Sequence, residues 1–505
     1  MSALPTATAD PQEQLAESLP SPLVRESSLW RQTPEFLVLA AWAGVVGFTL
    51  SYHEKWADEA QAWLLARDLD LYTLWFKELR YEGSPGLWHT ILWVAQHLFH
   101  APYAAIGIIG MVCATAGVAL MLFKAPFHRP LRWLLVFTYF IVYQYAVIAR
   151  PYTLLPLLSF SAAIFFKDVK HPERITIALI LLANLTFHGT IMAVCLGVAY
   201  VGAVLKTWSA LNERTRTRFV LCVGAMLMAL FLLFVVLKPP ADVEALHGVA
   251  KMTRRAAVHY FLDAIAGPFF DYPVPSVIFL VLAGLWCWSQ KKLAVFILPI
   301  LFLVPFYVYV RGWPHQQGTI FVAIITALWI AWPREGERKG FGASKRLAYS
   351  GMIALLACLF AYQTWNAIVI IRHEYRFPYS GAEDAASYLK SVGADHGRIF
   401  GFLYGVVAVQ AYFDHNILAN YGTAYFHHSS TSPAANLDPD ELKAASPEYL
   451  LIPCWSEPDR VYRVLYRPMM ANLGYTLVHI SDGYLLTKRG WKDRQVYLIF
   501  RRNAP

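Results

Sequence analysis

The sequence predicts an α-helical polytopic membrane protein of about eleven transmembrane helices, followed by a small extracytoplasmic α/β domain. Three observations carry that class. Of 505 residues, 57% are hydrophobic and only 15% charged, with a positive mean hydropathy, a balance that soluble enzymes do not show. Apolar runs near the length of a bilayer-crossing helix recur at about residues 34–52, 104–123, 131–148, 152–166, 174–187, 189–206, 219–237, 274–289, 293–310, 316–332 and 347–371. From residue 372 short alternating segments replace them, and 14 Lys and Arg stand against 13 Asp and Glu.

Residues 1–33 hold Pro, Glu and Ser without a basic start, which predicts a disordered cytoplasmic tail and not a cleaved signal peptide. Basic residues set the orientation of the spans that follow. Lys124, Arg129 and Arg132 share one loop, Lys167, Lys170 and Arg174 the next, and Lys206, Arg214, Arg216 and Arg218 a third. Lys291 and Lys292 form the fourth, and Arg334, Arg338, Lys339, Lys345 and Arg346 the fifth. Loop 53–85 instead carries seven acids against four bases. The basic loops are therefore expected in the cytoplasm and loop 53–85 outside. Residues 86–99 are short and contain His89, Gln96 and His97, so they are read as a re-entrant or interfacial helix, part of an outer loop 53–103. The N-terminus then lies inside and the C-terminus outside. The net charge of +9 follows from this topology and does not indicate nucleic-acid binding.

In the C-terminal region, Gly381 to Val392 reads as a helix. Arg398 to Leu403, Glu448 to Pro453, Thr476 to Ile480 and Val496 to Phe500 read as strands. Five of the six cysteines (Cys113, Cys195, Cys222, Cys287, Cys358) fall inside spans and only Cys454 falls here, so no disulfide framework is expected. The domain shows no glycine-rich phosphate loop. Tyr404, Tyr412, Phe413, Tyr421, Tyr425 and Phe426 crowd one stretch. Such rings suit the apolar faces of sugars, and a plain hydrophobic core accounts for them too.

The most informative stretch lies after the first span, where Trp56-Ala57-Asp58-Glu59-Ala60-Gln61-Ala62-Trp63 is followed by Tyr81-Glu82-Gly83-Ser84-Pro85-Gly86-Leu87-Trp88. Adjacent carboxylates beside a membrane are costly unless they do chemistry or bind something charged. With Trp56 to Arg67 helical, Trp56, Ala60, Trp63 and Leu64 share one face while Asp58 and Gln61 turn to the other. That pattern predicts an amphipathic helix lying in the membrane interface. On these residues alone, solvated structural carboxylates are as good a reading as an active site.

Together the Asp58-Glu59 pair, the surface helix, the Glu82-to-Trp88 element and Ala149-Arg150-Pro151-Tyr152 before a span resemble the GT-C superfamily of polyprenyl-phosphate-dependent membrane glycosyltransferases. The resemblance is to the bacterial branch of the lipid A aminoarabinose transferase and rhizobial lipopolysaccharide glycosyltransferases, with protein O-mannosyltransferases more distant. It covers residues 34–205 best. Ser84-Pro85-Gly86 departs from that class's His-Pro-Pro, which leaves the subfamily open. The resemblance implies an inverting hexosyl or pentosyl transferase in a bacterial inner membrane. Its donor would be a sugar on a polyprenyl phosphate, and its acceptor a glycolipid, polysaccharide or protein of the cell envelope at the outer face. It also implies Asp58 as general base, with Glu59 second.

A phosphate leaving group calls for cations. Arg150, Lys238, Arg254, Arg255 and Arg311 lie at or near the outer face, with His315 beside Arg311, and the same reading adds Glu82, His89, Tyr152 and His188 as substrate-binding candidates. The related acidic metal motif has no counterpart at Arg150-Pro151-Tyr152, and the histidines lack zinc-like spacing, so neither metal nor cofactor is expected. A lipid-linked sugar flippase would place charges in mid-span, which these runs largely lack. An inactive relative acting in assembly is the third reading.

Overall fold

The computed structural model describes residues 32–243, 252–429, 439–455, 461–488 and 491–503; the expected tail at 1–33 lies almost wholly outside them. Ten of the eleven apolar runs form helices close to their expected ranges. Five helices (Thr33–Leu50, Ala105–Lys124, Phe187–Leu205, Glu213–Leu237 and Ala343–Arg376) are long and apolar enough to cross a membrane, and Pro151–Phe165, Pro273–Ser289 and Leu293–Tyr309 are shorter apolar helices. The Pro314–Ala331 helix is buried on every side, as an all-round apolar helix at the centre of a bundle must be. Glu213–Leu237 is the opposite case. Val220, Leu221, Phe231 and Phe234 project outward, an apolar face that suits lipid and not water.

The run 131–148 is not one helix. Arg129–Val136 is helical, a wide π turn covers Phe140–Gln144, and the chain then loosens towards Arg150. Residues 138–149 are buried throughout. Tyr139 Oη donates to Gln144 Oε1 at 2.9 Å and Tyr145 Oη to the His315 carbonyl at 2.8 Å. Irregular backbone at this depth is tolerated because protein surrounds it on all sides. The unwinding turns the chain so that Arg150 arrives beside loop 53–85.

Residues 87–99 form a helix that packs on Ala57–Asp68. The chain enters it through Gly86, where a Cβ would sit 2.4 Å from the Trp75 ring. Trp75 donates Nε1 to Thr90 Oγ1 at 3.0 Å, so the ring fills the place a proline at this position would need. That is the local reason for Ser84-Pro85-Gly86.

The Ala57–Asp68 helix is not an interfacial one. Ala62, Trp63 and Ala66 face Trp88, Leu92 and Ala149, while Ala57, Ala60, Leu64 and Leu65 share a core with Ala382, Val406, Val409, Leu451 and Tyr497. Small residues on both faces let protein close over both, which a one-sided reading of the helix misses. The C-terminal region thus joins the bundle by much more than its covalent link. Gly381 N donates to Glu54 at 2.7 Å and Arg67 Nη1 to the Phe413 carbonyl at 2.8 Å. Lys488 reaches Asp271 at 3.1 Å.

That region carries a five-stranded sheet in the order β1-β2-β5-β3, with β4 also paired to β5. The strands are β1 Ile399–Gly401, β2 Tyr449–Trp455, β3 Tyr475–Ile480, β4 Tyr484–Thr487 and β5 Trp491–Arg502. β1 runs parallel to β2 and the other pairings are antiparallel. The expected helix is Ala382–Ser391. The Arg254–Ala266 helix and β4 are additions that the sequence reading lacks.

Candidate active site

Asp58 occupies the first turn of Ala57–Asp68, whose N-terminus is closed by the Glu59 carboxylate accepting from Trp56 N at 3.2 Å. Arg150 precedes the Pro151–Leu154 turn in extended conformation, with Pro151 supplying the fixed φ that starts a helix. The two side chains meet, Arg150 Nη2 lying 2.8 Å from Asp58 Oδ2. Oδ1 of Asp58 accepts from the Tyr404 hydroxyl at 2.9 Å. The Arg150 guanidinium also lies 5.6 Å from the ring centroids of both Trp56 and Tyr152, a sandwich that fixes its plane. Asp58 and Arg150 keep 23% and 16% of their side-chain surface, and both open on a cleft of about 240 Å³ lined also by Glu82, Ser84, His89 and His428.

The neighbouring carboxylate behaves differently. Glu59 is fully buried. Its Oε1 accepts from Ala149 N at 2.8 Å, and Oε2 lies 3.1 Å from His53 Nε2. His53 Nδ1 reaches Glu374 at 2.8 Å, and Tyr143 donates to the other Glu374 oxygen. Burial alone would hold His53 neutral, but the two flanking carboxylates raise it to about 10, so it is a cation at neutral pH. Burial opposes the charge of Glu59 as well, yet His53 and the Ala149 amide keep it below the usual carboxylate range. Because Glu59 follows Asp58 and Ala149 precedes Arg150, the bond between Glu59 and Ala149 N sets the facing pair in register.

Across the cleft, Glu82 accepts from Gln61 Nε2 at 2.7 Å and lies 3.8 Å from His428; burial raises its carboxyl above the ordinary range, against the pull of His428. Gln61 also clasps Phe426, donating to its carbonyl at 2.7 Å and accepting from its N–H at 2.9 Å. His89 is buried and pushed down to about 4, so it stands neutral. Tyr152, His188 and His315 pack beside Arg150 with their rings tilted, Tyr152 Oη lying 3.4 Å from His188 Nδ1 and its ring 5.5 Å from that of His315. Lys238 and Arg311 are exposed and outside the lining of the cleft; the Lys238 carbonyl accepts two hydrogen bonds from Arg80 at 3.0 and 2.7 Å.

Sequence reasoning passes over His53, Gln61, Glu374 and His428, and places Tyr404 only in an aromatic cluster. Phe413, Tyr421, Tyr425 and Phe426 are indeed core. Tyr404 differs, because Leu403 before it holds φ +65° and ψ 156°, a region almost closed to side chains other than glycine's. Strain of this kind gathers at functional sites, and here it aims the tyrosine at Asp58. Arg150 Nη1, His89 Nδ1, His188 Nε2 and Trp56 Nε1 are buried without a hydrogen-bond partner among the described residues. Buried polar atoms are normally satisfied, and of these four residues Arg150 and His89 line the cleft, where a polar ligand would meet them. Among the described residues, no set of three His, Cys, Asp or Glu side chains is placed to hold a metal ion.

No family model and no curated protein matches this sequence. Solved structures do. The crystal structure of ArnT from Cupriavidus metallidurans bound to undecaprenyl phosphate aligns over 92% of this chain and 98% of its own, at 13% identity and a TM-score of 0.55. The apo form gives 94% and 98%, 14% identity and the same TM-score of 0.55. The arabinofuranosyltransferase AftD from Mycobacteria aligns over 92% of this chain but 40% of its own, at 14% identity and a TM-score of 0.38, too low to carry weight. The match to ArnT over more than nine-tenths of both chains shows a common fold.

Proposed function

We propose that this chain, which is built on the GT-C fold and is a multi-pass membrane protein, is a glycosyltransferase that moves a sugar from a polyprenyl-phosphate donor to a hydroxyl of a cell-envelope acceptor. The observation that carries the reading is the facing of Asp58 and Arg150 at 2.8 Å in a half-open polar cleft. ArnT, the structural neighbour, was crystallised with undecaprenyl phosphate, which supports a lipid-linked donor.

In this reading Asp58 takes the proton of the acceptor hydroxyl as its oxygen attacks the anomeric carbon. The bond from that carbon to the phosphate oxygen breaks on the opposite face, and the configuration inverts. The phosphate leaves with the electron pair, and Arg150, whose Nη1 is an unmet donor, receives its charge. Tyr404 donates to Asp58 Oδ1 and aims the carboxylate, whose remaining lone pairs are left for the acceptor hydroxyl. His89, held neutral by burial, and Glu82 line the sugar side. Tyr152, His188 and His315 hold the arginine from behind.

The acceptor class is sought by mass spectrometry of lipid A, surface polysaccharide and glycoproteins from cells with and without this chain. One fraction should lose a sugar mass, and an Asp58→Asn copy should fail to restore it. Restoration by that copy would remove Asp58 from the chemistry.

A further inference from the structure

A second polar cavity lies at the other end of the bundle. The Pro151–Phe165 helical stretch starts beside Arg150 and ends two residues before Lys167, so its length of about 22 Å separates the two sites. Pro314–Ala331 makes the same journey, from His315 to the cavity wall at Trp332. The cavity measures about 870 Å³ and is lined by Lys167, Lys292, Arg334 and Lys345 against a single acid, Glu337. These cations come from three separate loops.

Their present contacts leave charge unanswered. Lys167 Nζ donates to the Trp332 carbonyl at 3.3 Å. Lys292 and Lys345 lie 5.5 and 4.8 Å from the ring centroids of Phe166 and Phe341. The Glu337 carboxylate is spent on the Arg334 backbone N–H at 2.8 Å. Burial and the charges of Arg334 and Lys292 hold the Lys167 ammonium below the usual lysine range, against the pull of Glu337. Converging like charges of this kind are relieved by an anion. Val169, Leu211 and Phe341 complete the wall, so apolar side chains stand between the cations.

We propose that this cavity binds the phosphate headgroup of an anionic lipid, its cations meeting the phosphate and the apolar side chains between them meeting the start of the acyl chains. The site would anchor the end of the bundle remote from the cleft and takes no part in glycosyl transfer. The full chain, purified in mild detergent, should carry phosphatidylglycerol in native mass spectra. After delipidation, its thermal midpoint should rise with phosphatidylglycerol and not with phosphatidylcholine.

Each cation removed should weaken retention about fivefold, so Lys167→Gln with Lys292→Gln should lose roughly 25-fold. Lys291→Gln with Lys339→Gln, on the same face but outside the lining, should change nothing. If the double variant does not fold, the exposed Lys345→Gln alone must still show the fivefold loss. Equal losses in the control pair would reduce the effect to general surface charge and overturn the proposal. Stabilisation by inorganic phosphate or pyrophosphate to the same extent as by lipid would overturn it as well, because the ligand would then be a free anion.

Discussion

Two adjacent carboxylates, one residue apart, should respond to the same chemical change in opposite ways. Asp58→Asn removes a proton acceptor from a half-open cleft. Its ion pair with Arg150 is partly solvated, and pairs of that kind contribute about 0.2–1 kcal/mol. The amide still accepts from either Arg150 or Tyr404, so unfolding stability should fall by less than about 1 kcal/mol. Turnover should fall by roughly 10²–10⁴, the scale of a lost general base. Glu59→Gln does the reverse. Its oxygens accept from Ala149 N, Trp56 N and His53, and an amide turns one acceptor into a donor facing donors. It also leaves His53 with one carboxylate in place of two. Breaking a buried pair costs roughly 3–5 kcal/mol, so the thermal midpoint should drop sharply. The assay is paired: thermal unfolding in detergent, and sugar transfer from an undecaprenyl-phosphate donor at matched folded protein. A Glu59→Gln protein as stable as wild type, or an Asp58→Asn protein that turns over normally, would falsify this division of labour.

Further outcomes follow from the same geometry. Arg150→Ala should raise the donor KM about tenfold or more, the scale of one charge-assisted hydrogen bond, with Arg150→Lys recovering only part; an unchanged donor saturation curve would leave Arg150 as packing. Tyr404→Phe should lower kcat about tenfold with donor KM unchanged, since Asp58 Oδ1 loses the hydroxyl that aims it; wild-type kcat would make the ring mere filler. His53 rises from 6.5 to about 10 on folding, the downward pull of burial being outweighed by Glu59 and Glu374. Its stabilising contribution is therefore complete below about pH 6.5 and is lost as pH climbs towards 10. Thermal midpoints should decline across that window, and His53→Gln should flatten the decline; an equal slope in the variant would place the titrating group elsewhere.

How much of this was legible in the sequence depended on range. Local patterns read well: apolar runs became helices, 86–99 became a short helix, and four of the five strands lie near their expected places. The run 131–148 misled because apolarity reports burial and not helix, and this stretch is buried within protein while unwound. Asp58 and Arg150 were readable because each sits in a local motif. Tyr404 was not, because its contact with Asp58 spans 346 residues and its neighbours in sequence are core aromatics. His53 showed no signal, since its partners Glu59 and Glu374 become neighbours only when the last long helix closes on the first loop. The small residues of Ala57–Asp68 held the clue to its double burial, and the tryptophans drew attention from it.

The clasp between Gln61 and Phe426 joins residues 365 positions apart. Its consequence lies in the timing of synthesis. Loop 53–85 emerges early, yet its helix lacks one whole wall until the strands beyond residue 399 are made. During that interval Asp58 has neither its tyrosine nor a closed cleft around it. Long-range contacts of this kind form late because the loops they close are large. A nascent chain therefore carries this carboxylate in an unfinished cleft until the C-terminal sheet has been made. Incomplete chains left in the membrane would hold the bundle and its lipid-facing helices without the enclosure that the proposed transfer requires.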